Sequence, residues 1–223
     1  MRDLFFLVLF SLATLPGVRS PLGAAPPSDR VIGVAEATVA PSLMFHGSAV
    51  RGIAELAPRH ARTRVTSEAP QVFATPHMDL ASIFIVRWDD SWAGAGRFSD
   101  AGPFAFYCKD ERRFTDADKG GSVYAVPSVG FVSHLERGLG ANEWSTATPA
   151  PVLAHFDYAS ALDAMLALGV QVYFVGDADF ARIKASPDRG RAVLASLTSE
   201  NQRRRRNVRP LADAAAPDAD RAR

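Results

Sequence analysis

Three short runs of this chain hold residue types that could do chemistry together: Leu43-Met44-Phe45-His46-Gly47-Ser48, Val72-Phe73-Ala74-Thr75-Pro76 and Asn142-Glu143-Trp144-Ser145. An apolar strand ending in His-Gly-Ser brings an imidazole, a bare backbone and a hydroxyl to one rim. That set suits gripping a ribose and an amide. Phe73 and Phe84, eleven residues apart, add flat faces that can stack on an aromatic ring. Each feature also has a plainer reading. A His beside Gly suits a turn, Ser48 suits a helix N-cap, both phenylalanines suit a core, and Glu143 suits a solvated strand start. The order and spacing of the set carry more than any one run.

The elements that must position these residues follow from the pattern of apolar positions. A strand ends at His46-Gly47-Ser48, and Ala49–Leu56 has apolar residues at helical spacing, so a short helix is expected there before Pro58. Arg59–Gln71 is polar and reads as a loop. Val72–Thr75 reads as a strand, and Met78–Val86 as a helix starting near Pro76. Trp88–Phe98, with Asp89-Asp90, Gly94 and Gly96, reads as a loop or lid carrying two exposed tryptophans. Phe104–Cys108 and Ser122–Val126 are strands separated by a charged stretch and Gly120-Gly121. Phe131-Val132 continues the sheet, before a polar loop at His134–Ala141. Strands at Val152-Leu153 and Val170–Val175 flank a helix at Ala159–Leu168 that Gly169 ends. Asp177–Lys184 is expected as the last helix, capped by Asp177. The fold class expected is α+β, with a mixed, mostly antiparallel split β-sheet and short flanking helices.

The chain has 223 residues, 48% of them apolar, which suits one well-packed domain. Its formal net charge is +1, unevenly spread: residues 201–223 carry seven Arg against three Asp, so the body is slightly acidic. The run Arg203–Arg206 with Arg209 could contact an anionic surface or nucleic acid, although Ala, Asp and Pro from Leu211 onward suit a solvated, disordered end. Leu4–Leu15 is an apolar run after Arg2, too short to span a bilayer. It has the pattern of a signal-peptide core, so secretion or lumenal entry is expected, with an intracellular chain as the alternative. The organisation expected is a signal peptide at 1–25, a Pro/Ala-rich linker at 26–41, a folded domain at 42–200 and a disordered basic tail at 201–223. Cys108 is the only cysteine, so no intramolecular disulfide forms, and no metal-binding pattern stands in the sequence.

Taken together, the three runs resemble the ADP-ribosyltransferase fold, in the branch shared by poly(ADP-ribose) polymerases and diphtheria-type toxins. The resemblance covers roughly Leu43 to Val152 as a divergent member. It rests on the His46-Gly47-Ser48 strand, the Val72–Thr75 strand followed by a helix bearing Phe84, and Asn142-Glu143-Trp144 before Pro151-Val152. What it implies is NAD as substrate and cleavage of the nicotinamide-ribose bond through an oxocarbenium-like state. The leaving group is cationic, so no general acid is needed; the protein must place negative charge by the ribose and hold the ring. On that reading Glu143 is catalytic, accepting a hydrogen bond from a ribose hydroxyl. His46 binds the other ribose, the Gly47 backbone and Ser48 hydroxyl take the carboxamide, Phe73 and Phe84 stack on the nicotinamide, and Thr75 belongs to the same binding element.

Departures from the family bear on activity. Phe84 keeps a stacking face but lacks the hydroxyl of a tyrosine, and Ala141 replaces the first acid of the Glu/Gln-x-Glu pair found in relatives that modify Arg or Asn. The resemblance places Arg59–Gln71 at the donor loop, with Arg62 or Arg64 toward the pyrophosphate. It places Gly130–Ala141 at the acceptor side, with His134 and Glu136 as polar contacts. The acceptor expected is an unidentified protein or nucleic acid, or water. The alternatives are a catalytically inactive nucleotide- or protein-binding module of the same fold, an NAD-dependent RNA 2′-phosphotransferase, and an unrelated exported α+β domain in which the motifs coincide.

Overall fold

The computed structural model describes residues 41–60, 69–97, 102–133 and 142–207. It is a mixed α+β arrangement of short strands and short helices, with antiparallel pairing throughout except for one parallel pair. The first sheet has the order β1-β6-β10, in which β6 (Gly121–Pro127) lies between β1 (Leu43–Ser48) and β10 (Ala154–Tyr158), both antiparallel to it. The second has the order β11-β5-β4: β5 (Phe104–Cys108) is antiparallel to β4 (Ala93–Arg97) and parallel to β11 (Gln171–Phe174). A third sheet pairs β3 (Val72–Ala74), β8 (Trp144–Thr146) and β7 (Val132–Ser133), and a two-stranded ribbon joins β2 (Glu55–Leu56) to β9 (Ala150–Pro151).

Alternation along these strands divides the apolar residues among three cores. Phe104, Phe106 and Cys108 of β5 face Val123 of β6, with Ala81 and Ile85 beside α1 (Met78–Ser82) and Ala164 and Met165 of α3 (Ala161–Ala167). The intervening β5 residues, Ala105 and Tyr107, pack against Phe180 and Ile183 of α4 (Asp177–Ala185) and Val193 and Leu194 of α5 (Arg191–Ser196). Strand β5 is therefore buried on both faces. The third core holds Met44, Tyr124 and Val126 on the far face of the first sheet, joined by Leu56, Val72 and Ala74.

Several expected elements differ from those observed. Ala49–Leu56 is not a helix: Gly52 adopts a left-handed φ of 71°, and the Tyr124 hydroxyl holds the segment extended by donating to Val50 O and accepting from Ile53 N. Trp88–Phe98 is not an exposed lid. Trp92 is buried, Trp88 is half-buried with its indole N–H on Ile83 O, and Ala93–Arg97 forms β4. The glycines there serve packing, since a Cβ at Gly94 would stand 2.4 Å from the Tyr107 hydroxyl. The charged stretch after Cys108 contains a helix, α2 (Glu111–Ala117), capped by the Asp110 carboxylate accepting from Arg113 N. Val152-Leu153 lies between β9 and β10 rather than forming a strand.

The helix expected at Met78–Val86 is regular only to Ser82 and then turns, and the cap of α4 is Gly176 rather than Asp177. Helix α4 is also not the last. It is followed by α5 and by α6 (Glu200–Asn207), so the start of the basic run expected as tail is helical. There Arg204 pairs with Asp163 and Glu200, and Arg203 with Glu200. Among the described residues no helix is long and apolar enough to cross a membrane. The apolar run Leu4–Leu15, the linker, Arg62, Arg64, His134, Glu136, Ala141 and Arg209 lie outside the described residues.

Candidate functional site

Strand β1 is the hinge line of the site. On one edge it is zipped to β6 along its whole length, and on the other it meets the third sheet through a single bridge, Phe45 to Thr75. The two backbone bonds of that bridge measure 2.7 and 3.0 Å. In an antiparallel pair the next such rung would join Gly47 to Phe73, two residues along on each strand. It does not form. Instead the Phe73 carbonyl accepts a hydrogen bond of 2.8 Å from His46 Nδ1. The imidazole thus takes the place of a backbone donor, and the strands part at that point. Because alternate residues of a strand present their N–H and C=O to the same edge, Gly47 directs both groups to the third-sheet side of β1 and not to β6.

A cleft of about 190 Å³ lies at this parting, walled by His46, Ser48 and Phe73, by the extended Ile53–Ala57 segment, and by Arg59, His60 and Gln71. A carbonyl can only accept, so Nδ1 of His46 carries the proton and Nε2 keeps its lone pair. Burial pulls the His46 pKa below its ordinary value; the Phe73 carbonyl opposes this and the nearby Arg59 charge adds to it. The ring is accordingly a neutral acceptor near neutral pH. Ser48 Oγ accepts from Val50 N at 3.1 Å, a local turn bond that replaces the helix cap expected of it. Its hydroxyl hydrogen remains for another acceptor.

The other expected site residues lie around rather than in this cleft. Gly47 is buried against α1, where an added Cβ would stand 1.9 Å from Ala81 O. Thr75 is buried; its backbone makes the bridge and its Oγ1 accepts from His77 N at 3.2 Å. Phe84 follows α1 and is 42% exposed, stacked on Trp88 with ring centroids 6.0 Å apart and planes 23° from parallel. Phe73 is half-buried. Neither phenylalanine is a core residue. Glu143 is half-buried immediately before β8, whose Trp144 pairs with Ala74, the residue before Thr75. Its neighbour Asn142 hydrogen-bonds the side chain of His77. The cleft lining brings together His46, Ser48 and Phe73 and does not extend to Gly47, Thr75, Phe84 or Glu143.

Arg59, His60 and Gln71 were not singled out by sequence reasoning, which looked inside the loop they bound. A pair of backbone bonds of 3.0 Å between Arg59 and Gln71 closes the base of that loop. Gln71 is further tied through Oε1 to the Ser145 hydroxyl at 3.1 Å. The signal available was position: a cation and an imidazole directly after Pro58, where the chain leaves the extended segment. Cys108, by contrast, is buried, and burial pushes its thiol up to about 12, so it is no nucleophile at neutral pH. Comparison with known proteins gives no match: no family model matches the chain, and no curated protein and no solved structure is similar to it.

Proposed function

We propose that this chain is a divergent ADP-ribosyltransferase-like protein that binds NAD across the parting of β1 and β3 and cleaves it at the nicotinamide-ribose bond. The observation that carries the reading is the His46 bond to the Phe73 carbonyl. It parts the strands and leaves a neutral imidazole acceptor in the cleft. A ribose hydroxyl would donate to Nε2, and a carboxamide would use the Gly47 N–H and C=O. Phe73 supplies a stacking face, whereas Phe84, stacked on Trp88 beyond α1, lies outside the cleft lining. Arg59 and His60 line the cleft and would contact the pyrophosphate. The cleft volume suits one half of a dinucleotide, not the whole. In the reaction the C1′–N bond breaks with its electron pair leaving on neutral nicotinamide. The cationic ribose, stabilised by Glu143 through a ribose hydroxyl, is then captured by the acceptor, which gives up its proton.

A second reading, a silent NAD-binding module, is favoured by the cleft lining, which does not extend to Glu143. The RNA 2′-phosphotransferase reading is weakened because Arg203 and Arg204 are tied to Glu200 and Asp163. Calorimetry with NAD and release of labelled nicotinamide separate these. The wild type is expected to bind and release, His46→Ala to bind about tenfold more weakly, and Glu143→Gln to bind normally with release lost. Binding without release in the wild type selects the silent module, and absence of binding rejects NAD.

A further inference from the structure

Among the described residues β10 is the outer strand of the first sheet, and four of its five residues are exposed. Natural edge strands are blunted by Lys, Pro, bulges or a covering element. Ala154-His155-Phe156-Asp157-Tyr158 carries no Lys or Pro, and it displays Phe156 at 44% exposure beside Leu153 at 60%. We propose that β10 pairs antiparallel with β10 of a second copy of this chain, about a two-fold axis at Phe156.

Self-complementarity selects a second copy. In that register His155 faces the partner's Asp157, Asp157 faces the partner's His155, Ala154 faces the partner's Tyr158, and Phe156 faces its own counterpart. An imidazole N–H donates to a carboxylate directly opposite, whereas a parallel in-register pair would set His on His and place like-charged Asp on Asp, which repel. Asp157 is prepared for a partner across the axis. Its Oδ1 accepts the buried Ser122 hydroxyl at 2.5 Å, which fixes the carboxylate, while His155 Nε2 of the same chain stands 3.7 Å from Oδ2, within ion-pair range when protonated but too far for a hydrogen bond, so Oδ2 can still accept from across the axis. The paired sheet would run through six strands, with both His46 clefts opening on one face about 24 Å apart, five strand spacings.

The test needs no ligand, so its outcome is independent of what the cleft binds. Sedimentation velocity of the full chain at rising concentration should show a reversible monomer-dimer equilibrium. His155→Glu sets a carboxylate against the partner's Asp157 twice and should weaken the dimer about tenfold or more, whereas His155→Gln, which keeps an N–H donor for that carboxylate, should preserve it. Both substitutions are at an exposed position, and circular dichroism checks that both variants fold. Under mild oxidation Phe156→Cys should cross-link to itself, because directly opposed Cα atoms lie about 4.5–5.5 Å apart, and Ala154→Cys should not. A monomer at every concentration overturns the proposal. So does a dimer indifferent to His155→Glu, or one that Ala154→Cys cross-links as readily as Phe156→Cys.

Discussion

His46 illustrates how one side chain can serve architecture and chemistry at once. Its Nδ1–H donates to the Phe73 carbonyl, and that bond fixes the tautomer that leaves a lone pair on Nε2. Replacing it should therefore cost stability as well as binding. His46→Ala is expected to lower unfolding free energy by about 0.5–1.5 kcal/mol, the worth of the lost hydrogen bond, as read in urea denaturation. Its titration has a definite sign. The folded pKa lies below the unfolded value of about 6.5, so the unfolded chain takes up the proton first and stability falls as pH drops below that value, levelling off below the folded pKa. In His46→Ala that part of the acid sensitivity should vanish. Gly47 makes the opposite point, that a residue can matter by what it lacks. Gly47→Ala would drive a methyl into Ala81 O, and is expected to destabilise by about 3 kcal/mol, checked by the same denaturation midpoint.

At the scale of elements, the chain shows which signals survive the passage from sequence to structure. The strands at Leu43–Ser48, Val72–Ala74 and Phe104–Cys108 were legible because apolar runs bounded by turn residues have few other uses. Helix α3 was legible from its spacing and from Gly169, whose φ of 87° ends it. The segment Ala49–Leu56 was not, because its helical spacing is overruled by a distant residue, Tyr124, which no local pattern announces. Strand β4 was hidden because Gly94 and Gly96 are ordinarily loop residues, whereas Gly94 here lets the Tyr107 ring approach. Asp118 shows how much one loop residue can organise. Its carboxylate accepts from the backbone of Gly120, Ala161 and Leu162 and from the Ser160 hydroxyl, pinning the start of α3. Burial would raise its pKa, but those four donors outweigh that and hold it below the ordinary carboxylate value. Asp118→Ala should cost about 2–3 kcal/mol in urea. The stability Asp118 contributes is whole above the unfolded carboxylate pKa and is lost as pH falls through the lower folded one.

For the whole molecule, the α+β class and its mostly antiparallel pairing were readable from the chain, and the extent of the folded body was not. Helix α6 lies against β11 and follows Ser199, which is fully buried. Its sequence, Glu-Asn-Gln followed by four Arg, has no apolar stripe to betray that contact. Removing residues 200–223 should accordingly lower the melting temperature by about 3 °C or more, where a mere tail would leave it unchanged; differential scanning calorimetry decides. The candidate site was half legible. His46, Ser48 and Phe73 converge, whereas Arg59 and Gln71 act through a bridge between positions twelve residues apart, a relation that exists only once the chain is folded. That β1 and the β3 segment share a single backbone rung, Phe45 to Thr75, has a further consequence. The amide protons of Phe45 and Thr75 are the latch of the opening, so their exchange with deuterated water times every event that spreads it. A guest that enters without forcing the sheets apart leaves those two protons slow, and one that wedges them apart sets both free together.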